Sequence, residues 1–227
     1  MFDRIKKAFV KEAKSDPPPS SLHSAGPVSE WAATQGFGFS IDDSGQSIAL
    51  EGKVGDKAWR LQLGRPSRNY IFGEEVRARA DLGVDPSVAV LVMNRPLKEA
   101  LEKRAYEAYT NELQTSVNSS MPEEMRWLAM YDEVGWDSLS TDFWKRLAIL
   151  TDNREYALAW LDAQMAELMT NWPEPGPSAE VPFMVLLLNG KAYLRMEYAP
   201  ARIETLQHAA AIFTSACESA LGAFSKN

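Results

Sequence analysis

The sequence predicts an α+β fold with an antiparallel meander sheet plus a C-terminal hairpin. Three observations support this prediction. The strand patterns occur as hairpins rather than in strand–helix–strand alternation, a long stretch of helical periodicity follows them, and a second hairpin and a helix close the chain. We therefore expect a helical block inserted between the meander and the C-terminal hairpin, and a closing C-terminal helix. The last hairpin is expected to rejoin the first sheet.

The first segment, residues 1–14, is predicted to be a basic amphipathic helix. Phe2, Ile5 and Phe9 recur at helical spacing, and Lys6 is one of the basic residues around them. Such a segment can dock into a partner protein or bind an anionic membrane surface. The simpler alternative is a terminal helix that packs on its own domain or on a neighbouring subunit. Consecutive prolines then predict an extended linker over residues 15–27.

A single α+β domain is predicted over residues 28–227. Residues 29–35 have the pattern of one or two helical turns, which Gly36 ends. A tight-turn signal at Gly55-Asp56 joins two strands into a hairpin. Further along, Arg77 and Arg79 alternate with small apolar residues, as expected of a half-buried strand. The predicted strands of this part are 37–41, 48–54, 58–63, 76–82 and 88–93.

The helical block is predicted over residues 96–172, where the hydrophobic period changes from two to about 3.6. Its apolar positions mark four helices, at 97–113, 125–131, 143–150 and 158–172. The pattern leaves open whether this block packs on the sheet or forms a separate lobe. After it, Asn189-Gly190 predicts a two-residue hairpin turn, and a final helix begins near residue 201. Cys217 lies on the apolar stripe of that helix and is expected to be a buried, unreactive thiol.

Composition and charge exclude several classes of protein. A hydrophobic fraction of 45% and a charged fraction of 24% are those of a globular protein, and no apolar run is long enough to cross a bilayer. A lone cysteine suits a reducing compartment, so we expect a cytosolic protein. The net charge of −7 argues against nucleic acid as a partner.

Motifs for catalysis, metals or cofactors are missing from the sequence. It contains no glycine-rich phosphate loop and no nucleophile elbow. Its two histidines, His23 and His208, lack nearby ligands for a metal site. An acidic cluster around residues 132–142 has no known cation-loop spacing, and helix capping explains several of its members. We therefore assign no catalytic residue, metal or cofactor.

One group of residues suggests ligand binding. Arg60, Arg65 and Arg68, with Tyr70 beside them, lie where a loop interrupts the strand pattern, and two guanidiniums there could hold an anion. The structural alternative is a solvated loop on an acidic protein.

Three functional hypotheses follow. The first is a non-catalytic interaction or ligand-binding module whose N-terminal helix docks to a protein partner or to a second copy of the chain. The alternative is an enzyme that holds a small anionic substrate with Arg65 and Arg68. The third is peripheral membrane association, through residues 1–14 alone.

Overall fold

A computed structural model describes residues 25–112 and 123–225, and this part of the chain contains seven helices and nine strands. The helices are α1 (Ala25–Gln35), α2 (Arg95–Glu112), α3 (Glu123–Met130), α4 (Thr141–Arg146), α5 (Arg154–Trp160), α6 (Ala163–Thr170) and α7 (Ile203–Phe224). The strands are β1 (Gly38–Ile41), β2 (Ile48–Val54), β3 (Lys57–Gly64), β4 (Glu75–Asp81), β5 (Ala89–Asn94), β6 (Asp132–Val134), β7 (Leu147–Thr151), β8 (Phe183–Leu188) and β9 (Lys191–Glu197). The predicted α+β class is confirmed.

All nine strands belong to one antiparallel sheet, in the order β1-β2-β3-β4-β9-β8-β5-β7-β6. The first four strands form the predicted meander, and the C-terminal hairpin inserts between β4 and β5. Its turn has positive φ angles at Asn189 (52°) and Gly190 (73°), as a tight two-residue hairpin turn requires. The prediction that this hairpin rejoins the first sheet is confirmed.

One face of the sheet is covered by five helices: α1, α4, α5, α6 and α7. Their apolar side chains form the larger hydrophobic core together with the inward positions of the strands, such as Leu61 and Val76. Trp160 of α5 is fully buried there, and its Nε1 donates to the carbonyl of Ala216 at 2.9 Å. Cys217 is also fully buried, and its burial is therefore as predicted.

The opposite face is covered by α2 and α3 over only part of the sheet. These helices pack on β5, β7 and β8 in a second core that includes Leu97, Leu101 and Met125. The helices of residues 96–172 therefore lie on both faces of one sheet. They do not form a separate lobe.

The third predicted helix is wrong beyond Arg146. Residues 147–151 form β7, which pairs with β5 on one side and β6 on the other. All five residues of β7 are buried, so they show no alternation, and a short apolar run fits a helix or a strand equally well by period. The short strand β6 within the same block was not predicted either.

The fourth predicted helix is two helices, α5 and α6. The carboxylate of Asp162 accepts a hydrogen bond from the backbone N–H of Met165 at 2.7 Å, so Asp162 caps the start of α6. The apolar spacing continues across the break because both helices pack on the same core. At the other end of the chain, α1 begins at Ala25, so residues 25–27 of the predicted linker are helical.

Candidate functional site

The half of the sheet that α2 and α3 leave uncovered forms the floor of a groove of about 1220 Å³. The floor is made by β2, β3, β4 and β9, together with part of β8. Helix α3 forms one wall through Glu123 and Trp127, and the junction of α1 and β1 lies at the other end through Phe37 and Gly38. Six basic and three acidic residues line this groove. We call it the arginine groove.

The strand register places arginines directly opposite one another on this floor. Arg60 of β3 pairs with Arg79 of β4. In the next row on this face, Arg77 of β4 pairs with Arg195 of β9. Like charges at directly opposed positions destabilise a sheet, so these pairs require compensation.

Two buried glutamates compensate the second pair. Arg195 donates from Nε to Glu75 at 2.8 Å and from Nη1 to Glu124 at 2.7 Å, and Arg68 donates from Nε to Glu124 at 2.6 Å. Both glutamate side chains are fully buried. Arg77 shares Glu75 at a longer distance, 4.0 Å from its Nε to a carboxylate oxygen. These contacts hold the guanidiniums of Arg68 and Arg195 in fixed positions and join α3 to the sheet.

Tyr70 belongs to this network and does not line the groove. Its hydroxyl donates to Oε1 of Glu124 at 3.0 Å, in the second core that α2 and α3 form on this face of the sheet. Burial, and then the negative charge of Glu124, raise the pKa of Tyr70, so the hydroxyl keeps its proton and remains a donor. Burial opposes the charged form of Arg68, but the hydrogen bond to Glu124 and the charge of Glu124, with smaller contributions from Tyr70 and Glu75, together outweigh burial, so the pKa of Arg68 is raised.

The first arginine pair is compensated on one side only. Arg60 forms an ion pair with Glu51 of β2. Arg79 is exposed, and among the described residues no carboxylate lies within ion-pair distance of it. Its guanidinium instead lies 5.9 Å from the ring centroid of Tyr193, a cation–π contact. Arg79 can therefore receive an anion from solvent without breaking an existing ion pair.

The floor changes from charged to apolar beyond Tyr193. Tyr193 on β9 lies opposite Leu186 on β8, and Leu188 and the indole of Trp127 also line this end. Tyr193, Leu188 and Trp127 are each only partly buried, so their side chains present apolar surface to the groove.

The sequence-predicted site residues lie in different places. Arg60 and Arg68 line the groove, although both are engaged in ion pairs, and Tyr70 is buried in the second core beside α3. Arg65 is exposed on the loop after β3 and does not line the groove. The predicted docking residues Phe2, Ile5, Lys6 and Phe9 lie outside the described residues.

Sequence reasoning missed Arg77, Arg79 and Arg195 as site residues. The alternation in β4 already predicted that Arg77 and Arg79 share the face opposite the core. Nothing in the sequence indicated that Arg195 would join them, because its position depends on the pairing of β9 with β4.

The acidic cluster of residues 132–142 does not form a cation site. Within residues 25–112 and 123–225, no group of three or more acidic, histidine or cysteine side chains is placed to hold a metal. Glu133 pairs with Arg95 at 2.9 Å and Lys98 at 3.1 Å; burial opposes its charged form, but these two cations hold its pKa below the usual range. Asp142 lies in the first turn of α4, as the helix-capping interpretation predicts.

Comparison with protein-family models, with curated proteins and with solved structures finds no match to this chain. None of the helices in the described part of the chain combines the length and the hydrophobicity needed to cross a bilayer.

Proposed function

We propose that this protein is a non-catalytic cytosolic binding module, and that its ligand is an anion held in the arginine groove. The observation that carries the proposal is Arg79. It is an exposed arginine on a rigid strand, directly opposite Arg60, with no carboxylate within ion-pair distance among the described residues. An anion placed between Arg60 and Arg79 relieves their mutual repulsion and receives charge-assisted hydrogen bonds from both guanidiniums.

Binding without catalysis has more support than an enzyme acting on a small anionic substrate. Such an enzyme needs a free carboxylate or another base beside the substrate. The carboxylates that contact the groove arginines are already engaged, Glu51 with Arg60, Glu75 with Arg195, and Glu124 with Arg68 and Arg195. Arg65, which the enzyme hypothesis used to hold substrate, does not line the groove.

Docking through residues 1–14 remains part of the proposal, either to a protein partner or to a membrane surface. Its test is deletion of those residues. Loss of co-sedimentation with phosphatidylserine vesicles on deletion supports the membrane hypothesis, and unchanged co-sedimentation contradicts it.

The groove is tested by calorimetric titration with citrate, pyrophosphate and hexaglutamate at low ionic strength. We expect at least one of these anions to bind, and Arg79→Gln to weaken that binding at least tenfold, about 1.4 kcal/mol. Arg65→Gln is the matched control, because it removes the same charge from an exposed arginine outside the groove. Its affinity is expected to stay within twofold of the parent.

Two outcomes contradict this assignment. Equal losses in Arg79→Gln and Arg65→Gln mean that only the overall charge matters. A loss confined to Arg65→Gln places the site on the loop that the sequence first suggested.

A further inference from the structure

The arginine groove has two chemically different halves. Its charged half lies over β3 and β4 and carries Arg60 and Arg79. Its more apolar half begins one strand further on, with Tyr193 of β9, and includes Trp127 and Leu188; Arg68 and Arg195 also line this half, but both are paired with buried Glu124. A ligand that fills the groove must therefore be amphipathic, with an acidic part and a large apolar part.

The size of the groove favours a chain segment over a single small molecule. Its volume of about 1220 Å³ exceeds the roughly 300–1,000 Å³ typical of small-molecule pockets. One row of side chains runs across five strands, from Glu51 through Arg60, Arg79 and Tyr193 to Leu186. At about 4.8 Å between neighbouring strands this row is roughly 19 Å long, which an extended segment of about six residues spans.

The side chains of the groove are those that dominate protein–protein interfaces. Arginine, tyrosine and tryptophan are enriched among the residues that contribute most binding energy. Methionine is also enriched at interfaces, and Met184 lines this groove. Ordered positions also lower the entropic cost of binding, and Arg60, Arg79, Arg195 and Tyr193 stand on strands rather than on loops.

Charge identifies the partner as acidic and favours a peptide over a nucleic acid. The whole chain carries a net charge of −7, yet six basic and three acidic residues line the groove. Arginines beside aromatic rings also suit a single-stranded nucleic acid, with bases stacked on the rings. A polyphosphate backbone, however, is repelled by the acidic remainder of the molecule, whereas a short acidic segment need only contact the groove.

We infer that the ligand is an acidic segment of a partner protein, about six residues long, that carries a large aromatic or aliphatic side chain. A carboxylate of this segment lies between Arg60 and Arg79, and the apolar side chain packs against Tyr193 and Trp127. The inference rests on the proposed function, because it requires the arginine groove to be the ligand site.

The experiment compares three fluorescein-labelled hexapeptides by fluorescence anisotropy on the native protein. The first is hexaglutamate with phenylalanine at its fifth position, so that two glutamates and the phenylalanine share one face of an extended chain. The second is hexaglutamate, and the third replaces each glutamate of the first by glutamine. We expect the first peptide to bind at least tenfold more tightly than hexaglutamate, and the third to show no measurable binding. This comparison needs no variant, so it does not depend on a mutant that folds.

Two variants then separate the halves of the groove. Arg79→Gln is expected to weaken both acidic peptides at least tenfold. Tyr193→Ala is expected to weaken the phenylalanine peptide selectively and to leave hexaglutamate within threefold. Circular dichroism and thermal unfolding of each variant check that the fold is retained.

The outcomes distinguish this inference from the proposed function. If hexaglutamate or citrate binds through Arg79 but phenylalanine adds nothing, the inference is overturned and the proposed function stands. If no anionic probe binds, both are overturned. Tighter binding of oligothymidylate than of any peptide overturns the inference in favour of a nucleic acid ligand.

Discussion

The two faces of the sheet are built from the same strands and have opposite chemistry. On β4, Val76, Ala78 and Ala80 point into the core under α7, whereas Arg77 and Arg79 stand on the floor of the arginine groove. Five helices cover the first face, and two helices cover only part of the second. The first face thus supplies most of the buried apolar surface, and the second carries arginines that would be costly in any core.

A charged sheet face needs acidic side chains of its own to stabilise it. The pair Arg77 and Arg195 is tolerated because the buried carboxylates of Glu75 and Glu124 lie against it, and the backbone N–H and the hydroxyl of Ser67 both donate to Glu75. The core face is therefore expected to control stability, and the exposed arginines of the groove face to control binding. Three substitutions and one thiol-labelling experiment test this difference between the faces, from the largest expected effect to the smallest.

Leu61→Ala is expected to have the largest effect on stability. Leu61 is 1% exposed on the core face of β3, and its truncation should cost about 2–5 kcal/mol in the free energy of unfolding. The control is the next residue, Gln62, which faces the groove: Gln62→Ala should change stability by less than about 0.5 kcal/mol. Urea unfolding measures both. Equal losses would show that the two faces do not differ in this way.

Glu124→Gln tests the buried ion-pair network that Glu124 forms with Arg68 and Arg195. The change leaves Arg68 and Arg195 without their shared buried counter-charge, and because both arginines retain some contact with water, we expect a loss of about 2–3 kcal/mol. Glu123→Gln is the matched control on the exposed side of α3. Urea unfolding should separate the two variants. If Glu124→Gln is as stable as the parent, the network does not stabilise the fold.

Gly52→Ala tests the packing of the core face at β2. A Cβ at Gly52 would overlap the indole ring of Trp59, which is held between Phe37 and Phe213 at centroid distances of 4.9 and 6.5 Å. We expect a loss of about 1–3 kcal/mol, typical of overpacking. At Gly38 the nearest atom to a Cβ is at 3.5 Å, so Gly38→Ala serves as the control and should change stability much less. Similar melting temperatures for the two variants would contradict this.

The smallest expected effect is the reaction of the Cys217 thiol in the native protein. Burial, and then the charge of Glu218, raise its pKa to about 12, so almost none of the thiolate is present at pH 8. In the native protein Cys217 should not react measurably with Ellman's reagent over an hour, whereas the protein unfolded in urea should react at once. Rapid reaction of the native protein would mean that α7 opens readily from the core face.

The prediction of individual elements succeeded where the pattern is local and failed where it is not. Alternation identified β4, and Asn189-Gly190 identified the hairpin turn, because both signals act within a few residues. The strand β7 was predicted as helix because a segment buried on both faces shows no period. The break at Asp162 was missed because α5 and α6 continue one apolar stripe on a shared core.

Prediction of the candidate site also succeeded for local signals and failed for contacts between distant segments. Arg60 and Arg68 were found from a local cluster of arginines, and that cluster also suggested Arg65, which lies outside the groove. Arg195 was not found, because its place opposite Arg77 depends on which strands pair.

The sequence by itself determined the fold class, the meander, the C-terminal hairpin and the face of β4 on which Arg77 and Arg79 stand. These follow from backbone period and turn geometry, which need no distant partner. The tertiary structure was needed to show that β9 lies beside β4 and that Glu124 of α3 is buried against Arg68 and Arg195. The pairing of distant segments depends on which surfaces fit and bury one another, and this is not encoded within any short stretch of chain.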